Sequence, residues 1–134
     1  MTQPIDDLSA LLSQLSPALA DPDFVFCAVP RANESAVLSA RLRGTFWEAE
    51  GLSVILERAE ADRLGFTYTS VHRCITLQVH SSLTAVGLTA AVSSALSSAG
   101  ISANVVAAYH HDHVFVPAES AETALSVLEA LVRA

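Results

Sequence analysis

The sequence predicts an α+β protein built from two related halves. In residues 74–132, the spacing of apolar residues predicts the elements strand, helix, strand, strand and helix, in that order. Part of that order occurs earlier, and Val54–Ala61 resembles Phe115–Glu122 in passing from an apolar strand to an acidic helix start. A chain of 134 residues can bury a core as one compact domain or as two small units that pack together. We place the boundary near Gly65, which gives predicted units at residues 1–65 and 66–134.

The N-terminal half is predicted to open with a short amphipathic helix, followed by three strands and a second helix. Apolar residues recur at helical spacing from Ile5 to Leu15, behind the candidate caps Asp6 and Asp7. The turn signal Glu50-Gly51 separates two apolar runs and predicts a hairpin. The further assignments are strands at 24–29, 45–49 and 52–56, an ambiguous segment at 31–40, and a helix at 57–64 that ends at Gly65.

The C-terminal half has clearer patterns. Cys74–Val79 alternates as a half-buried strand does, and Gly100 follows an apolar stripe at helical spacing. Pro117 ends a later run of apolar and β-branched residues. The predicted elements are strands at 74–79, 101–108 and 113–116 and helices at 88–99 and 121–132.

Charge and composition exclude several classes of function. Fourteen acidic residues against seven Arg and no Lys give a net charge of −7, which repels nucleic acids and anionic membrane surfaces. The N-terminus lacks the pattern of a signal peptide, and no apolar stretch is long enough for a membrane span, so we expect a cytoplasmic protein. A charged fraction of only 16% favours self-association, and a homodimer is the first expectation. Cys27 and Cys74 are predicted to be buried thiols, although Cys74 with His72 could form a reactive pair if exposed.

Two segments of the C-terminal half, His80–Ala90 and Tyr109–Pro117, carry the most specific motifs of the chain. With several further segments, they resemble the ACT domain family, and in particular small bacterial proteins with two ACT-like units in tandem. The resemblance covers roughly residues 15–132. A Gly-Leu pair opens the first helix of the signature, and Ala-Gly-Ile leads into its second strand. The segments that carry the resemblance are Phe46–Leu52, Glu60–Asp62, His80–Ala90, Leu96, Ala99–Val106 and Tyr109–Pro117.

This resemblance implies a duplicated ferredoxin-like βαββαβ fold with antiparallel sheets side by side and helices on one face. In the N-terminal copy the first helix would be shortened or lost. The resemblance also implies a binding role, because ACT domains commonly hold an amino acid or a similar small effector between units. The chain leaves no room for a catalytic domain, so we expect a non-enzymatic protein without a cofactor that either regulates a separate protein or senses a ligand for another purpose.

The loop from His80 to Thr89 is the main candidate for ligand binding. Hydroxyl side chains and Gly87 precede a helix, whose outward N–H groups and positive terminus suit a carboxylate. Alternatively, Ser81, Ser82 and Thr84 only cap the helix, and Gly87 eases packing. Asn104, in an apolar strand, either contacts the ligand or bonds a neighbouring loop. The predicted ligand-binding residues are Ser81, Ser82, Val86, Gly87, Leu88, Thr89, Asn104, Val105, His110 and Asp112.

The turn from His110 to His113 leaves three interpretations open. Imidazole and carboxylate groups bind zinc, nickel or copper, but neighbouring residues of an extended chain point to opposite sides, so a complete site needs His72 or His80 as well. The turn could instead contact the organic ligand, or it could be a plain polar turn. No metal ligand is therefore assigned. A protein-interaction module that pairs through its sheet edges is a further alternative.

Overall fold

The structure, a computed structural model, describes residues 4–132, and the chain forms two compact units. Unit 1 comprises Met1–Ala20 and Arg73–Ala134, and unit 2 comprises Asp21–His72. The first strand contributes its first four residues to unit 1 and the rest to unit 2. A repeat boundary near Gly65 stays a prediction.

The fold is α+β with antiparallel strand pairing, as predicted. The ambiguous segment at 31–40 forms a long 3-10 helix. It stands between two strands where the C-terminal half has an α-helix, in agreement with a shortened first helix. In chain order the elements are α1 (Leu8–Ser13), β1 (Pro17–Val29), a 3-10 helix (Arg31–Ser39), β2 (Leu42–Glu48), β3 (Gly51–Glu57), α2 (Arg58–Leu64), β4 (His72–Leu77), α3 (Leu88–Ser98), β5 (Asn104–Ala107), β6 (Asp112–Pro117), a 3-10 turn (Ala118–Ser120) and α4 (Ala121–Val132).

Unit 2 has the strand order β2-β3-β1. The predicted hairpin is confirmed, because Glu48 pairs with Gly51 across the turn. Helix α2 ends at Gly65, whose φ of 74° is the left-handed conformation that glycine adopts without strain. Alternate residues of β1 and β3 point to one side and form the core with residues from α2 and the segment after it. The buried residues of this core are Val25, Cys27, Val29, Leu52, Val54, Leu56, Ala61 and Phe66.

One buried charge in unit 2 is fully partnered. Glu60 of α2 is 3% exposed and accepts hydrogen bonds from the Arg63 guanidinium at 2.8 and 2.9 Å and from the Arg41 backbone N–H at 2.9 Å. These donors lower the pKa of the Glu60 carboxyl to about 2. The ionised carboxylate ties α2 to the start of β2.

Unit 1 has the strand order β1-β4-β6-β5, with the beginning of β1 in the place that the fourth strand has in a ferredoxin-like fold. The Gln78 N–H donates to the Ser16 carbonyl at 3.2 Å, and the Arg73 guanidinium donates to the Ala20 carbonyl at 2.7 and 2.9 Å. Helices α1, α3 and α4 pack on one face of these strands. The buried core is Leu11, Leu15, Ile75, Leu77, Val79, Leu88, Val92, Leu96, Ile101, Val114, Val116, Ala121, Ala124 and Leu128.

Both cysteines are buried, as predicted. Burial raises the pKa of the Cys27 thiol, and the nearby Asp62 carboxylate adds to that effect. Among residues 4–132, no helix combines the length and the apolar character that crossing a bilayer requires.

Candidate functional site

A pocket of about 140 Å³ lies in unit 1, where the loop after β4 meets the β5–β6 hairpin. Its wall combines hydroxyl groups, small apolar side chains, backbone at the start of α3 and one carboxylate. The lining residues are Ser81, Ser82, Leu83, Ala85, Gly87, Leu88, Thr89, Ala107 and Asp112.

Helix α3 begins at this pocket without a side-chain cap. Its N-cap is Gly87, with φ 103° and ψ −19°, and no side chain there accepts a hydrogen bond from the first turn. The Ala91 N–H donates to the Gly87 carbonyl at 2.9 Å, so the helical bonding pattern starts at this residue. The first N–H groups of an α-helix lack intrahelical acceptors and carry its partial positive charge. Leu88 and Thr89 therefore bring a backbone surface suited to an anion into the pocket wall.

The serines before α3 do not act as its N-cap. The Ser82 hydroxyl lies 2.8 Å from the Thr84 hydroxyl and accepts from the Thr84 N–H at 3.1 Å. The Ala85 N–H donates to the Ser82 carbonyl at 3.1 Å, which closes a tight turn. These hydroxyls thus organise the loop, and the N-cap position of α3 is taken by Gly87, which has no side chain to cap the helix.

Asp112, the first residue of β6, places a nearly buried carboxylate in the pocket. It is only 9% exposed, and this burial raises the pKa of the carboxyl above its usual range. Positive charge on His113, a hydrogen bond from the Ser81 hydroxyl and positive charge on His111 act in the opposite direction. The lining of the pocket therefore combines a desolvated acid, serine hydroxyls and the N-terminus of a helix.

Six of the ten residues predicted to bind ligand line this one pocket: Ser81, Ser82, Gly87, Leu88, Thr89 and Asp112. The other four lie elsewhere. Val86 is 84% exposed, and Val105 packs against the core. Asn104 is exposed and pairs with Phe115, whereas Val105 pairs with Val114 of the core. Because neighbouring strand residues face opposite sides, Asn104 points away from the helices.

The histidines of the β5–β6 turn have separate environments. His110 is exposed, and its ring centroid lies 5.4 Å from that of His80. The His111 Nδ1 is 3.3 Å from the Val79 carbonyl, and the His113 Nδ1 is 2.9 Å from the Thr76 hydroxyl. Across residues 4–132 no three His, Cys, Asp or Glu side chains form a group able to hold a metal ion.

Three lining residues were absent from the predicted set: Leu83, Ala85 and Ala107. Ala107 pairs with Asp112 in the β5–β6 register. The hairpin pattern could have indicated this residue, since residues directly opposite in an antiparallel pair point to the same side. Leu83 and Ala85 sit within the loop that the sequence did indicate.

Models of the ACT domain match the chain twice, over residues 3–73 and over residues 69–130. The chain belongs to the ACT domain family. It carries two ACT domains in tandem, which confirms the resemblance seen in the sequence. No protein with a curated description matches it.

Solved structures share the fold of this tandem ACT protein. A Vibrio cholerae protein of unknown function, described as a possible transport protein, is 46% identical with a TM-score of 0.84, covering 93% of this chain and 95% of that one. The ligand-free regulatory subunit of aspartate kinase from Thermus thermophilus is 12% identical with a TM-score of 0.70, covering 88% and 97%. Aspartokinase III of E. coli, in complex with aspartate and ADP, is 13% identical with a TM-score of 0.64, covering 88% and 33%. The two kinases show likeness of fold alone.

Proposed function

We propose that the protein binds a small, neutral α-amino acid in the pocket of unit 1 and acts as a non-enzymatic regulator. One observation carries this proposal: the Asp112 carboxylate and the N-terminus of α3 line the same small pocket. An α-amino acid carries an ammonium and a carboxylate a short distance apart. The pocket wall offers a complementary group to each.

The two charged groups of the ligand would be recognised by different elements. The ammonium donates to Asp112, where burial strengthens a charge-assisted hydrogen bond. The carboxylate accepts from backbone N–H groups at Leu88 and Thr89 and interacts favourably with the helix dipole. Ser81 lines the same pocket, and its hydroxyl favours the ionised form of Asp112 by lowering the pKa of that carboxyl.

Size and charge narrow the ligand class. The pocket volume of about 140 Å³ is close to that of an engineered cavity of about 150 Å³ that binds benzene. Glycine, alanine and serine are close to benzene in size, whereas leucine and phenylalanine are larger. Asp112 is the charged residue of the lining, so the second carboxylate of aspartate or glutamate would be repelled.

Calorimetric titration of the purified chain with glycine, alanine, serine, leucine and aspartate tests the proposal. We expect saturable binding of at least one of the three small amino acids. Asp112→Asn should weaken it about 10- to 100-fold, the effect of losing a hydrogen bond to a charged group. Glu122→Gln removes an exposed acid from the first turn of α4 and serves as the charge-matched control, with unchanged affinity. Failure of every amino acid to bind, or equal losses in both variants, contradicts the proposal.

Regulation would follow from a shift in populations. A ligand that binds one conformation of the protein more tightly increases the fraction of that conformation. The affected partner is a separate protein that recognises the ligand-bound state. Measuring the capture of such a partner with and without the amino acid distinguishes this role from simple ligand storage.

A second candidate function, self-association, is favoured by the edge of unit 2. Strand β2 is the end strand there, and its Phe46 and Trp47 are 73% and 66% exposed. An end strand with unpaired backbone groups and exposed aromatic side chains can pair with the same strand of a second copy. We propose a homodimer through this edge. Sedimentation should then show a dimer that Phe46→Ser weakens and that Leu38→Ser, at another exposed apolar residue, does not.

A further inference from the structure

We infer that the segment from Ile5 to Leu8, which we call the strap, positions the loop that forms the pocket. The pocket loop is defined here as residues 80–88. Ile5 and Leu8 are positioning residues, since neither lines the pocket but each contacts a different end of the loop. The part of this inference that concerns ligand affinity rests on the proposed function, and the part that concerns loop order does not.

Ile5 holds the beginning of the pocket loop by two backbone hydrogen bonds. Its N–H donates to the His80 carbonyl at 2.8 Å, and its carbonyl accepts from the Ser82 N–H at 3.0 Å. Together they form a short parallel bridge between Ile5 and Ser81. This bridge holds Ser81 and Ser82, and both serines line the pocket together with Asp112.

Leu8 supports the end of the pocket loop. A Cβ atom built at Gly87 would lie 3.0 Å from Leu8 Cδ2 and 3.6 Å from Cδ1, so the leucine side chain fills the space against the glycine. The left-handed φ of Gly87 turns the chain there into α3. Leu8 therefore packs against the residue that sets the direction of the uncapped N–H groups.

The strap is itself anchored to the core. Asp7 caps α1, with its Oδ2 accepting from the Ala10 N–H at 2.9 Å and its carbonyl accepting from the Leu11 N–H at 2.9 Å. Leu11 and Leu15 then reach full burial in unit 1. Within the pocket loop, Ala85 packs against the core and Leu88 belongs to it, whereas Leu83 is 66% exposed. The strap thus adds one contact near each end of the loop, and these contacts contribute to its order.

This arrangement couples ligand binding to the strap. A ligand that orders the pocket loop favours the docked strap, and a docked strap lowers the entropic cost of ordering that loop around a ligand. The coupling is reciprocal by thermodynamic necessity. Loosening the strap should therefore weaken ligand binding without altering any residue of the pocket wall.

Hydrogen exchange measured by mass spectrometry on the full chain tests the effect on loop order without any ligand. The variants are Leu8→Ala and, as matched control, Leu12→Ala, since both leucines are partly buried against the same core from α1. We expect faster exchange in peptides covering residues 80–88 for Leu8→Ala than for Leu12→Ala, compared at the same distance below each melting temperature. Ile5→Pro, which removes the donor to the His80 carbonyl, should do the same. Equal exchange in the loop of all three variants overturns the inference.

Titration with glycine, alanine and serine tests the effect on affinity. Leu8→Ala should raise the Kd of the amino acid that binds by about tenfold, and Leu12→Ala should leave it within error. If the wild-type protein binds none of the three amino acids, the proposed function is contradicted. The hydrogen-exchange result then still tests whether the strap orders the pocket loop. If Leu8→Ala binds the amino acid normally and its pocket loop exchanges no faster than that of Leu12→Ala, the positioning role of the strap is refuted and the proposed function is not.

Discussion

The glycine at the start of α3 should be much harder to replace than the glycine just after its end. Gly87 and Gly100 flank the same helix in unit 1, and both have positive φ, 103° and 73°. A Cβ atom at Gly100 would have no heavy atom within 4 Å, whereas at Gly87 it would lie 3.0 Å from Leu8 Cδ2. Alanine at Gly100 therefore tests backbone strain, and alanine at Gly87 tests strain together with the contact to α1.

The two costs can be estimated from the geometry. A left-handed L-residue costs about 1–2 kcal/mol, which sets the loss expected for Gly100→Ala at about 1 kcal/mol. The φ and ψ of Gly87 lie in a sparsely populated region, where strain costs about 1–3 kcal/mol. Displacing Leu8 adds to this, so we expect Gly87→Ala to lower the free energy of unfolding by about 3 kcal/mol.

Equilibrium unfolding in urea, followed by circular dichroism, measures both losses. Leu8→Ala removes the side chain that the new methyl group of Gly87→Ala would displace. The loss of unfolding free energy in the double variant should therefore be smaller than the sum of the two single losses, and a double-mutant cycle measures this difference. Equal stability of Gly87→Ala and Gly100→Ala would refute the assignment of Leu8 as the neighbour that Gly87 accommodates. The same strain makes Gly87 a poor probe of ligand binding, because a bulky substitution there would alter stability as well.

Three further predictions concern burial and protonation. Leu96→Ala, at a fully buried residue of α3, should cost about 2–5 kcal/mol of unfolding free energy, against less than about 0.5 kcal/mol for Leu83→Ala, when both are measured in urea. In the wild type, ionised Glu60 stabilises the fold above pH 4.5, and this stabilisation is lost as the pH falls towards 2. Glu60→Gln should lack it at every pH. The difference between the urea midpoints of the two proteins should therefore shrink in acid rather than stay constant. Because the pKa of Asp112 is raised, its contribution to stability is present below the ordinary value of 3.8 and is lost as the pH rises through the raised value. Asp112→Asn should thus gain stability relative to wild type as the pH rises. The affinity of the wild type for an amino acid should fall as the pH is lowered and Asp112 becomes protonated. If neither the stability difference nor the affinity changes with pH, the raised pKa of Asp112 is contradicted.

Local sequence patterns predicted most of the fold because each signal has a local physical cause. Asp7 as the cap of α1, Gly65 after α2 and the turn before Gly51 all act on their own neighbours in the chain. Helix α1 begins directly after Asp7, as that cap predicted, whereas Ile5 before the helix bonds the pocket loop. That partner is distant in sequence, and no helical periodicity can indicate it.

The candidate site was predictable to the extent that it lies on one loop. Ser81, Ser82 and Gly87 are near one another in the chain, and the start of α3 follows directly. Asn104 was included because an amide in an apolar strand needs a partner. The face of that strand depends on the β5–β6 register, which pairs Asn104 with Phe115 and Ala107 with Asp112. A shift of the strand register by one residue moves every side chain to the other face of the sheet. Composition alone therefore could not decide which strand residues reach the pocket.

The proposed function depends most on whether a small amino acid binds beside Asp112. The most direct measurement is an NMR titration of isotope-labelled protein with glycine, alanine and serine, in which the amide shifts are assigned along the chain. We predict shifts concentrated at residues 81–89 and 107–112, absent with aspartate and strongly reduced in Asp112→Asn. Saturable shifts centred on other residues, or no shifts with any of the three amino acids, would contradict the proposed site.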